Sequence, residues 1–187
     1  MGLDIHLGTN NPDLWLEDGH DYFFENSLSR TFCNLMCRRD VVFDEEPELD
    51  QIGTITGIDI SILYEMNNYP NVDAMDYFLS SANNEQERQD ILKKAAADKA
   101  KLDKNIDEVS AFIDILIEKV SKIDNLPSLF APTAFETINR EVYFSDFEKD
   151  TGDDYIGNNF GQDLRNFKAF LIFAKSKGAT GVHFNYG

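Results

Sequence analysis

NEQERQDILKKAAADKAKLDKNIDEVSAFIDILIEKVSKI, residues 84–123, carries the clearest periodic signal in the chain. Asn84 followed three residues later by Glu87 is the Asn-x-x-Glu form of a capping box, and Lys119 and Lys122 stand in the last turn, where cations suit the helix dipole. Between these ends Leu92, Ala95, Lys99, Leu102, Ile106, Val109, Ile113, Leu116, Val120 and Ile123 recur at alternating three- and four-residue steps, a coiled-coil-like seam with one polar interruption. The spacing predicts one long central helix over about 84–123. Such a helix would be about 55–60 Å long, more than the ~40 Å across a compact domain of this size. Its first half, with a thin seam of alanine and lysine, is therefore expected to project. The second half adds Phe112, Ile115 and Ile117 and is expected to be buried more widely. A short helix from residues 58–82 is the first candidate to cover the seam; a homodimer through Leu92–Ile123 or a partner protein are the alternatives.

Outward from this helix, Leu3, Ile5 and Leu7 alternate with Asp4 and His6 as in a half-buried strand, and Val182 and Phe184 alternate in the same way at the other end. Residues 163–177 are amphipathic through Leu164, Phe167, Leu171 and Ala174, with Gly178 placed to end the helix. The reading is α+β: predominantly helical, with a small sheet formed by the N- and C-terminal segments, in a single domain over 1–187. A helix is expected over Phe23–Cys37, a short strand at Val41–Phe43 and an acidic loop over Asp44–Asp50. Asp59 caps a short helix to Met66, and Asn71 caps another to about Ala82 that should bury Met75, Phe78 and Leu79. A strand over Glu141–Phe144 and a second acidic loop over Asp146–Asp154 follow.

Apolar residues make up 42% of the chain, including 15 Phe and 7 Tyr, which is ample for a core despite the high charge. The apolar run around Phe170–Ala174 is far short of the ~20 residues that span a bilayer. The opening lacks the basic and apolar regions of a signal peptide. Cys33 and Cys37, four apart on a predicted helix, share a face but are poorly placed for a bridge. They are expected as buried thiols in a cytoplasmic protein.

Net charge is −17, and it is unevenly spread. Residues 1–83 hold sixteen acids against Arg30, Arg38 and Arg39, whereas residues 84–123 hold nine acids and eight bases. A one-sided segment creates a local negative field that can steer a basic partner. Nucleic acid is an unsuitable ligand, because a phosphate backbone needs clustered Lys and Arg, and the only dense group here is interleaved with acids.

No nucleophile elbow, zinc-protease helix, dinucleotide fingerprint or phosphate loop is present, and no cofactor is expected. The run from Asp146 fails as a calcium loop: Thr151 stands where glycine is needed and Gly157 where a bidentate Glu is needed. If the first and last strands pair, Asp4, His6 and His183 fall on one surface as a candidate divalent-metal site, the basis of an alternative reading as a metal-binding domain or enzyme.

The leading expectation is a non-catalytic acidic binding protein that inhibits or neutralises a basic partner, such as a toxin or nuclease. In this it is similar in kind to immunity proteins and phage-encoded inhibitors. Asp44, Glu45, Glu46, Glu48, Asp50, Asp146, Glu148, Asp150, Asp153 and Asp154 would set the charge of the contact. Trp15, Tyr22, Phe43 and Tyr155, adjacent to those loops, would supply aromatic anchors.

Overall fold

The computed structural model describes residues 4–11, 14, 26–133, 138–153 and 156–187, with 72 and 73 described for their backbone alone. Strand β1 (Ile5–Thr9) pairs antiparallel with β2 (Val182–Tyr186), so the two ends of the chain close on each other. The register sets Ile5 against Tyr186, Leu7 against Phe184 and Thr9 against Val182. Asp4 and Gly187 extend the ladder with reciprocal bonds of 3.0 and 3.1 Å. Ile5, Leu7, Val182 and Phe184 face the core, while His6, Gly8, His183 and Asn185 share the opposite face.

Between the strands lie α1 (Arg30–Met36), a 3-10 turn (Arg38–Asp40), α2 (Glu48–Thr56), α3 (Ser61–Met66), α4 (Val72–Ser81), α5 (Glu85–Lys101) and α6 (Ile106–Val120). A second 3-10 turn (Leu126–Leu129), α7 (Arg140–Tyr143) and α8 (Phe160–Ser176) complete the order. This is the expected mostly helical α+β fold with a two-stranded sheet. No helix among the described residues is long and apolar enough to cross a membrane.

The hydrophobic centre forms where α6 packs on α8 and α8 meets β1. Ile106, Val109, Ile113, Leu116 and Val120 are buried from one side, and Leu164, Phe167, Leu171 and Ala174 from the other. Ion pairs Asp114–Lys168 and Asp107–Lys175 run in opposite chain directions, which makes the two helices antiparallel. Phe32 of α1, Phe167 of α8 and Phe184 of β2 meet as a three-ring cluster with centroids 5.7–6.4 Å apart.

The long central helix is two helices. The chain breaks over Leu102–Asn105, where Lys104 takes a left-handed conformation at φ 57°. The break releases groups that a continuous helix would have consumed. The Asn105 amide exchanges two bonds with the backbone of Val182, at 2.8 and 2.9 Å, and the Ile106 N–H donates to Thr180 O at 3.1 Å. Asn105 thus supplies the free edge of β2 with a partner, and its own buried amide is satisfied. None of the side chains of α5 is buried, so nothing in its alanine and lysine seam holds it in line with α6.

Other expectations need correction. Val41–Phe43 forms no strand, since Val41 and Val42 N–H bonds return to Arg38 O as a turn. Residues 141–144 are helical at their start, because the Asn139 side chain caps α7 through the Val142 N–H. Met75, Phe78 and Leu79 are not buried, and Phe78 is half exposed; with Ile91 and Ala95 of α5, Met75 and Phe78 line an open groove. Helix α8 starts at Phe160 under an Asn159 cap, which carries Asp163 into the interior. The described part of the helix expected over 23–37 is α1, capped by Ser29.

Candidate functional site

Ten residues apart in sequence, Arg38 and Glu48 meet in the interior with side chains 1% and 2% exposed. Arg38 Nε donates to Glu48 Oε2 at 2.8 Å and Nη2 to Oε1 at 3.2 Å. Thr133 joins them, accepting from Arg38 at 3.0 Å and donating to Glu48 at 2.8 Å. Burial pushes the Glu48 carboxyl up, but the hydrogen bonds from Arg38, Thr133 and its own backbone more than reverse this and hold it below the usual range. Glu48 is therefore not the exposed rim carboxylate its acidic neighbourhood suggested. A charge at the start of α2 that faces inward is retained only with a partner, and Arg38 is that partner.

This pair clamps the intervening loop at both ends. Val42 is buried beneath it, Gln51 holds Glu46 O at 2.7 Å and Ala131 N at 2.7 Å, and Thr54 donates to Glu46 Oε1 at 2.8 Å. At the tip Phe43 is 82% exposed, flanked by the exposed Asp44, Glu45 and Glu46. Asp44 and Glu46 have no base within ion-pair reach among the described residues. Asp50 does: it is half-buried, bound by Arg39 through Nε at 3.0 Å and through Nη2, and by the Tyr64 hydroxyl at 3.1 Å. The Arg39 guanidinium lies 3.5 Å over the Tyr64 ring.

The second acidic loop is also held from below. The Asn159 amide donates to the carbonyls of Ser145, Asp146 and Lys149, and Gln162 Oε1 accepts from Thr151 and Gly152 N–H at 2.8 and 2.7 Å. Asp146 pairs with Lys149 at 2.8 Å and Asp150 with Arg165 at 2.6 Å, so two of its carboxylates are already neutralised. Glu148 and Asp153 stay exposed. Trp15, Tyr22, Asp154 and Tyr155 lie outside the described residues.

The proposed metal ligands share a surface, as the strand pairing required, but do not form a ligand set. The register puts His183 opposite Gly8, and the ring lies over that glycine, where a Cβ would stand 2.5 Å from Nε2. Tyr69 stacks on its other side with centroids 3.5 Å apart. Burial lowers the His183 pKa to about 4, against a hydrogen bond with Asn185 and with a further push from the Lys99 charge. Asp4 is tied to Arg30 at 3.1 Å. Among the described residues no three His, Cys, Asp or Glu side chains converge as metal ligands.

Two features escape the sequence reading. The buried Asp163 carboxylate accepts from Ser29 N at 2.9 Å, Ser29 Oγ at 2.6 Å, Asn158 Nδ2 at 3.0 Å and Tyr143 OH at 2.7 Å. It ties the cap of α1 and the residue before the α8 cap to α7. Burial raises its pKa, and these donors offset part of the rise. The other is a cleft of about 650 Å³ lined by Met36, Cys37, Arg39, Asp40, Tyr64, Asn67, Asn68 and Tyr186. Only the Asn-Asn pair before α8 and the Cys-x-x-x-Cys spacing hint at them in the sequence.

Compared with family models, curated proteins and solved structures, the chain matches none.

Proposed function

We propose that this chain is a non-catalytic binding protein that engages, and by occlusion neutralises, a basic partner protein, with the 39–47 loop as its principal contact. The exposure of Phe43 at the tip of a clamped acidic loop supports the reading most directly. A large aromatic held in water gains nothing for the fold, whereas in an interface such a ring is an anchor. The Arg38–Glu48 pair and the buried Val42 preorganise the loop, which lowers the ordering cost of binding. Asp44, Glu45 and Glu46 around the ring steer a basic surface toward it and favour Lys and Arg at the rim. Carboxylates in this arrangement can stand in for phosphates in a basic groove, which is how an inhibitor of a nucleic-acid-binding protein would act.

Affinity capture from the cells that make the protein tests this. Wild type should retain a basic protein at low salt and lose it at high salt, and Phe43→Ala, folded to the same thermal midpoint, should not retain it. Equal retention by Phe43→Ala, or a retained partner that is acidic, overturns the reading.

A further inference from the structure

The cleft beside the first 3-10 turn holds one open thiol among polar side chains. Cys33 is buried, but Cys37, at the end of α1, is half-buried and lines the cleft. Tyr186 forms part of the same wall, its hydroxyl donating to Asn67 Oδ1 at 2.6 Å. On the cleft wall Arg39 cannot swing away, because Asp50 holds two of its nitrogens and Tyr64 supports its plane. Its Nη1 and the Asn67 amide nitrogen are donors with no protein acceptor among the described residues, and the Asp40 carboxylate has no protein partner among them. A cleft whose wall carries a thiol, a fixed cation and an anion free of protein partners matches a zwitterionic group.

We infer that Cys37 undergoes thiol–disulfide exchange with a low-molecular-weight disulfide bearing an α-amino-acid end, whose carboxylate is bound by Arg39 and whose ammonium faces Asp40. The Cys37 thiolate attacks one sulfur of the disulfide. A new sulfur–sulfur bond forms as the old one breaks, and the departing thiolate leaves with the electron pair and takes a proton from water. Cys37 is oxidised to the mixed disulfide and the departing sulfur is reduced to a thiol.

The cleft supports the thiolate. Hydrogen bonding from Cys33 lowers the Cys37 pKa to about 7, assisted by Tyr186 and opposed by burial and the Asp40 charge. The remaining charged or titratable groups on the cleft wall are Arg39 and Tyr64. Cys33 does not resolve the adduct. Residues four apart on a helix have Cβ atoms about 5–6 Å apart, whereas a disulfide needs about 3.5–4.5 Å. The mixed disulfide therefore persists while α1 is intact.

The experiment uses the full chain with glutathione disulfide and, as an uncharged comparison, 2-hydroxyethyl disulfide. Intact mass should show one adduct, mapped to Cys37, formed by the folded protein and absent in Cys37→Ser. Cys33→Ala should move the midpoint of the pH–rate profile up toward the free-thiol value near 8.5. Arg39→Gln and Asp40→Asn should each lower the rate with glutathione disulfide relative to 2-hydroxyethyl disulfide by about three- to fivefold, the weight of one exposed charge contact. Because the two probes share one protein sample, their ratio separates recognition from any loosening of the fold. An adduct on Cys33, no adduct on folded protein, or an unchanged ratio in both variants overturns the assignment.

Discussion

Arg38 and Glu48 form a two-point ion pair inside the protein, with both side chains all but excluded from water. Removing one partner leaves a buried charge uncompensated, so Glu48→Ala should cost about 3–5 kcal/mol in urea unfolding. The double replacement Arg38→Met with Glu48→Leu removes both charges and should recover most of that loss. The Glu48 pKa is lower folded than its ordinary value of 4.5, so its contribution is present above that value and disappears as pH falls through the folded one. Glu48→Ala should accordingly lose least, relative to wild type, in acid.

Asp163 has the opposite sign. Its folded pKa is raised, so ionising it in the folded protein opposes stability as pH rises from the ordinary value of 3.8 toward the folded one. Tyr143→Phe removes one of its donors and should cost about 1–3 kcal/mol at neutral pH. The cost should shrink in acid, where the carboxyl is protonated. A penalty that does not vary with pH, measured by thermal midpoint, would contradict the role given to the phenol.

His183 is held neutral by burial against Tyr69 and Gly8, with a folded pKa of about 4 against 6.5 when free. The unfolded chain binds more protons between those values, so wild-type stability should fall as pH drops from about 6.5 to about 4. His183→Phe, which keeps the stacked ring, should show a shallower fall over the same window. Gly8→Ala should be destabilising by about 1–3 kcal/mol, because the added carbon would meet Asn185 at 2.4 Å and His183 at 2.5 Å.

The break between α5 and α6 makes a further expectation. Lys104 stands in a conformation that costs a side-chain-bearing residue about 1 kcal/mol. Lys104→Gly should be neutral or stabilising. Asn105→Ala strips the partner from the β2 edge and should cost about 1–3 kcal/mol. Urea midpoints with unchanged slope check both.

Periodicity made the fold class legible: alternation at residues 3–7 and 182–184 placed the terminal sheet, and Leu164, Phe167, Leu171 and Ala174 placed α8. Capping residues marked helix starts at Asn71 and Asn84. The break at 102–105 was illegible because the seam stays in phase across it, from Leu102 to Ile106, while its cause lies far along the chain at Thr180 and Val182. The fate of individual acids was equally hidden. Asp44 and Glu48 are alike in sequence, but only the fold brings Arg38 beneath one and leaves the other in water. Phe43 stands out in the sequence beside its acidic neighbours; the clamp that presents it does not, since it depends on Thr133 and on a buried arginine.

Under the proposed function, the clamped acidic loop governs encounter with a basic partner. The association rate of the captured partner, measured from about 50 to about 300 mM salt, tests it most directly, because steering by exposed charge is screened over that range. The rate should fall steeply for wild type and much less for the Asp44→Asn, Glu45→Gln, Glu46→Gln triple variant. A wild-type rate indifferent to salt, or equal slopes for the two proteins, would contradict the account.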